Sequence, residues 1–162
     1  MKTILVPIDF SDVTQKAIDQ TIKIASSQKY KVYLIHVTMP SSTTTRLQSE
    51  MPLHTLDGQE QRYFNPVRYD IIRDQIASQL KKEHSALLKH REQLIEKKID
   101  TLALLIEGNI IDVIIKEAVD INAEMIIMGS HGHGSFHKAF VGSVTNGILK
   151  KLLCPVLIVP AK

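Results

Sequence analysis

Five segments of the chain are almost continuously apolar: 3–8 (TILVPI), 32–37 (VYLIHV), 102–106 (LALLI), 125–128 (MIIM) and 156–159 (VLIV). They do not alternate apolar with polar, as strands with one wet face do. The pattern predicts strands of a parallel sheet covered on both faces. Between these runs the apolar period changes. Over 12–28, apolar residues fall at Val13, Ala17, Ile18, Ile22, Ile24 and Ala25, one face of a helix. Over 110–121 the same spacing runs through Ile111, Ile114, Ile115 and Ala118. A longer helix is predicted from about residue 70 to about 98, with Ile72, Ile76, Leu80, Leu87, Leu88, Leu94 and Ile95 inward. A last short one is predicted over 143–153, stopped ahead of Pro155.

The predicted order is therefore βαβαβαβαβ. Strands alternating with helices imply right-handed crossovers and an α/β fold: an open, doubly wound, five-stranded parallel sheet with helices on both faces. The chain has 162 residues, enough for one domain with one core and too few for a barrel of eight βα units. Residues 1–162 are accordingly expected to form a single domain. One segment resists the pattern. Residues 38–69 show no clear periodicity and contain SSTTT and two prolines, Pro52 and Pro66. Loops this long are usually functional or disordered, so the segment reads as a flap over a ligand or as an insertion without a role.

Charge narrows the classes of partner. The net charge is +3, with lysines scattered in pairs rather than in a basic block, which does not favour nucleic acid. Cys154 is the single cysteine, so no internal disulfide forms, and its apolar neighbours suggest a buried, inert thiol. The apolar stretch at the N-terminus is too short for a signal peptide and no run is long enough to span a membrane. A cytoplasmic protein is expected.

Four of the seven glycines fall within residues 128–143, MGSHGHGSFHKAFVGS. This stretch follows the fourth strand. Ligands of open α/β sheets bind beyond the carboxyl ends of the strands, at the point where strand order reverses. The turn Pro7-Ile8-Asp9-Phe10-Ser11 leaves the first strand. If strands one and four are neighbours, Asp9 and the glycine turn are the two lips of one crevice. His131, His133 and His137 raise a metal site as one reading. The spacing lacks the aspartate and adjacent histidine of a dinuclear zinc motif, and exposed loop histidines are the plainer explanation. Ser130 beside His131 is not a triad, and no G-x-S-x-G elbow is present. The phosphate reading is stronger. Glycines let backbone N–H groups approach an anion, and Gly142-Ser143 opens a helix whose first amides favour negative charge. The Ser143 hydroxyl can cap that helix or bond a phosphate oxygen. Neither a Walker lysine nor a Rossmann fingerprint accompanies it.

Gly129-x2-Gly132-x9-Gly142-Ser143 resembles the G-2x-G-9x-G-[ST] signature of the ATP-binding universal stress proteins. ILVPIDFSD, LIHV, EGN and CPVLIVP resemble that family's first strand, second strand, turn before the third helix and closing strand, so the resemblance covers nearly the whole chain. It implies a Rossmann-like fold akin to the adenine nucleotide alpha hydrolases. It also implies ATP as ligand, with Mg²⁺ accompanying it. Asp9 would accept from the ribose or adenine, with Pro7 and Ile8 as pocket wall. Val37 would present backbone to adenine and Met128 would pack by the base or ribose. Gly129 and Gly132 would give amides to phosphate, and Ser143 would reach the β/γ end. Gly142, Val144 and Thr145 would complete the helix N-terminus, with Ser130 and His131 as further candidates. The implied function is a nucleotide-dependent stress-response module, a homodimer through Val156, Leu157, Ile158 and Val159. A slow Mg-dependent ATPase or phosphotransferase, and a nucleotide-free scaffold dimer, are the alternatives. The family pattern does not account for residues 38–69.

Overall fold

The computed structural model describes residues 2–39, 66–131, 142–151 and 154–161. Among these residues five strands alternate with four helices: β1 (Lys2–Pro7), α1 (Asp12–Ser27), β2 (Tyr30–Thr38), α2 (Pro66–Glu96), β3 (Asp100–Glu107), α3 (Ile110–Asp120), β4 (Met125–Gly129), α4 (Ser143–Lys150) and β5 (Val156–Val159). The sheet runs β3-β2-β1-β4-β5 and every pairing in it is parallel. The order reverses at β1, which pairs with β2 on one side and β4 on the other. The carboxyl ends of β1 and β4 are thus neighbours, as the crevice required.

Unbroken apolar strands are explained by two cores, one on each face of the sheet. Ile4, Val6, Val32, Leu34 and Ile127 pack with Ala17, Ile18 and Ala25 of α1 and Leu87 and Leu94 of α2. Leu5, Ile35, Val37, Ile126 and Met128 pack with Ile114 and Ala118 of α3 and Ile148 of α4. Successive strand residues alternate between the two faces because the strand period is two. No polar face remains to alternate with.

The chain forms two compact units, Met1–Met39 with Ser85–Lys162, and Pro40–His84. The sheet and its cores belong to the first. In the second, the described residues form the first part of α2, where Arg73 bridges Asp70 and Asp74. This helix begins at Pro66, four residues before the expected start, because proline suits a first helical turn. Leu80, expected inward, is exposed. The segment 38–69 has thus yielded Thr38 to β2 and residues 66–69 to α2, while 40–65 lie outside the described residues. Among the described residues no helix is long and apolar enough to cross a membrane.

Candidate functional site

A cleft of about 460 Å³ opens at the carboxyl ends of β1, β2 and β4, a volume typical of small-molecule sites. Pro7, Ile8, Asp9, Val37, Met128, Gly129, His131, Gly142, Ser143, Val144 and Thr145 all line it. Gly132 lies outside the described residues, as do His133 and His137. Ser130 is not part of the lining. It is buried, and its backbone N–H donates to Val159 O at 2.8 Å, tying the end of β4 to β5. Ser130 Oγ meets His131 Nδ1 at 2.8 Å, while His131 Nε2 is buried and has no hydrogen-bond partner among the described residues.

The lip after β1 is built from side chains. Asp9 Oδ1 accepts from Ser11 N at 3.0 Å, Ser11 Oγ at 2.6 Å and Thr14 Oγ1 at 3.3 Å. Ser11 is the N-cap of α1, yet its own side chain makes no capping bond. Asp9 therefore braces the entry to the helix as well as facing the cleft. The next residue, Phe10, has φ of 62°, a left-handed conformation that a bulky side chain rarely takes. Its ring packs 4.3 Å from His36 and stacks at 6.2 Å on His90. The His36 ring also reaches Ile8 O, 2.8 Å from Nδ1; a carbonyl only accepts, so Nδ1 carries the proton. Ile8 N–H in turn donates to Ile35 O at 2.9 Å. Burial, with the Lys89 charge, holds His90 below its ordinary value of 6.5.

The lip after β4 is built from backbone. Gly142 N–H donates to Ser130 O at 2.8 Å, and Thr145 Oγ1 donates to Gly129 O at 3.1 Å. These two bonds tie the first turn of α4 to the strand end. Gly142 is the helix cap and Ser143 its first residue, so Ser143 does not cap the helix from outside. The first bond of the helix is Asn146 N–H to Gly142 O. The amides of Ser143, Val144 and Thr145 precede it and have no acceptor within the helix. Gly142 has φ of −59° and ψ of 159°, open to any residue, so its backbone does not require glycine. Gly129 does require it: a Cβ there would stand 2.9 Å from Val13 Cγ1 and 3.3 Å from His131 O.

Electrostatically the lips differ. Among the described lining residues Asp9 is the one carboxylate, and none is lysine or arginine. Helix α4 contributes the partial positive charge of its N-terminus instead. The remaining wall includes residues the sequence did not single out. His36, Met39, Ile110 and Ile114 line the cleft, and the signal for the two isoleucines, a four-residue helical spacing, reads equally well as core. Cys154 is half-buried and its thiol is pushed up by burial, in keeping with an inert role. Among the described residues no group of three or more His, Cys, Asp or Glu could hold a metal.

Residues 1–160 match the model of the universal stress protein family. Universal stress protein YxiE of Bacillus subtilis (strain 168) is 26% identical over 159 residues, covering 96% of each chain. The structure of MJ0577, a universal stress protein of Methanocaldococcus jannaschii, superposes with a TM-score of 0.77 at 23% identity, covering 99% of this chain and 96% of that one. A universal stress protein family protein of Arabidopsis thaliana, At3g01520, solved with AMP bound, gives a TM-score of 0.63 at 19% identity, covering 99% and 92%.

Proposed function

The chain belongs to the universal stress protein family, and from that premise we propose that its cleft binds ATP and that the protein acts as a nucleotide-dependent stress-response module in the cytoplasm. The observation that carries the reading is the pairing of two unlike lips on one cleft. One lip presents the Asp9 carboxylate; the other carries the first-turn amides of Ser143, Val144 and Thr145, which have no acceptor within the helix. A nucleotide has the matching polarity: hydroxyl and amine donors at one end, anionic oxygens at the other.

In this reading Asp9 accepts from the ribose hydroxyls. Pro7, Ile8, Val37 and Met128 enclose the base and sugar. Gly129, Gly132, Gly142 and the start of α4 hold the phosphates, with His131 beside them and Ser130 behind, bonded through its carbonyl to Gly142 N–H. The described wall offers no lysine or arginine, so Mg²⁺ carried with the nucleotide supplies the counter-charge. The relative from Arabidopsis thaliana that holds AMP supports an adenine nucleotide as the class. Strand β5 lies at the edge of the sheet, and edge strands pair readily; a homodimer through it completes the proposal.

The test is what copurifies. Protein expressed in bacteria and denatured should release an adenine nucleotide, identified by mass spectrometry, and stripped protein should rebind ATP with Mg²⁺ in calorimetry. No released nucleotide and no heat of binding would refute the reading. Steady phosphate release from added ATP would convert the module into an ATPase.

A further inference from the structure

Gly147 sits in the second turn of α4, outside the glycine signature. A Cβ at this position would lie 2.3 Å from Ile111 Cδ1, 3.0 Å from Ile111 Cγ1 and 3.5 Å from Ile111 Cγ2. No glycine of the helix is needed for a turn here, and glycine weakens a helix interior relative to alanine. Its presence is explained by contact: the missing side chain is a notch into which Ile111 of α3 fits. Ile111 is itself held in place. Its N–H donates to the Asn109 side chain at 3.1 Å as part of the cap of α3, and its β-branched side chain has few rotamers. Turning Cδ1 aside still leaves Cγ1 at the crowded distance. Lys151, the C-cap of α4, pairs with Asp112 of α3 at 2.7 Å.

We infer that the Gly147–Ile111 notch is a positioning contact that sets where the amides of Ser143, Val144 and Thr145 stand in the cleft, and so tunes affinity for the phosphate end of the ligand. Helix α4 has only eight residues. It cannot absorb a displacement at its second turn by bending, so its first turn moves with it. The strand-side bonds, Thr145 Oγ1 to Gly129 O and Gly142 N to Ser130 O, would be strained by the same shift. Gly147 and Ile111 act through the helix; neither has to touch the ligand.

The inference rests on the nucleotide reading, and three proteins separate the two: wild type, Gly147→Ala, and Gly147→Ala with Ile111→Ala, which deletes Cδ1 and Cγ1 together. Wild type should bind ATP in calorimetry. Gly147→Ala should bind about tenfold more weakly, the equivalent of one charge-assisted hydrogen bond lost or misaligned. Its unliganded melting temperature should not fall in proportion, because alanine favours the helix. The double variant should recover most of the affinity. Amide NMR shifts of Ser143, Val144 and Thr145 in the unliganded proteins should follow the same order, displaced in the single variant and restored in the double. Gly147→Ala binding as wild type does, or a double variant as weak as the single with its shifts still displaced, would overturn the notch as a positioning device. Wild type that binds no ATP would overturn the nucleotide reading and the inference with it.

Discussion

The two lips of the cleft reach the same place by opposite means. After β1, side chains do the holding: Asp9 accepts three hydrogen bonds, His36 holds Ile8 O, and Phe10 keeps a left-handed backbone between two histidine rings. After β4, backbone does the holding, and missing side chains make room: Gly129 beneath Val13 and Gly147 against Ile111. The difference teaches where each lip is vulnerable. Substitution on the first lip removes a group; substitution on the second adds one. In the proposed reading the first lip couples ligand contact to stability, because Asp9 serves both. The second lip, in the same reading, meets ligand through backbone amides, so what a substitution there changes is their position and the room around them.

The largest effect should come from filling the space at the strand end of the second lip. Gly129→Val drives side-chain atoms into Val13 at the seat of α1 on β4. Overpacking of this kind costs about 1–3 kcal/mol, and ATP affinity should disappear with it; a melting curve and a titration on the same protein measure both. An unchanged melting temperature would show that α1 gives way freely. Gly142→Val should sharpen the contrast. Its backbone angles suit valine, so the melting temperature should hold while affinity falls by about tenfold or more, the side chain standing in the phosphate path.

On the first lip, Asp9→Ala should lower affinity and stability together. Loss of a side chain that bonds a helix entry costs about 1 kcal/mol, read as a shift in the urea midpoint of the unliganded protein. The bonds to Ser11 and Thr14 make Asp9 part of the fold as well as of the cleft. A variant with weakened binding and an unmoved midpoint would place Asp9 wholly with the ligand. The smallest effect concerns His90, which stacks on Phe10 behind that lip. Burial lowers its folded value below 6.5, so the unfolded chain takes up its proton first as pH falls. Its contribution to stability is therefore complete above about pH 6.5 and is lost as pH drops through the lowered folded value. Urea midpoints measured at about pH 7.5 and about pH 5.5 should differ less in His90→Gln than in wild type; equal differences would remove His90 from the pH response.

Much of this was legible in the chain. The described strands and helices announce themselves because burial on both faces leaves unbroken apolar runs, and burial on one face of a helix leaves a recurring spacing. Gly129, Gly142 and Ser143 could be picked out because their composition is anomalous for the sequence around them, and the structure sets them on the cleft that Asp9 also lines. His36 was hidden inside a strand pattern, where one polar residue carries no positional signal. Ile110 and Ile114 were hidden because an apolar cleft wall and an apolar core have the same spacing.

What the sequence determined by itself is what neighbours along the chain decide: element type, element order, the faces to be buried, and the family signature at the exit of β4. Tertiary structure alone decided which ends meet. The order β3-β2-β1-β4-β5 brings residues 9 and 145 to one cleft, although more than a hundred positions separate them. It also decided what each glycine is for. Gly129 and Gly142 look alike in the signature, yet one is compelled by Val13 and the other has ordinary backbone angles. Gly147, unremarked in the sequence, is compelled by Ile111. The physical reason is that periodicity records whether a side chain is buried, while a close contact depends on which distant atom is buried against it.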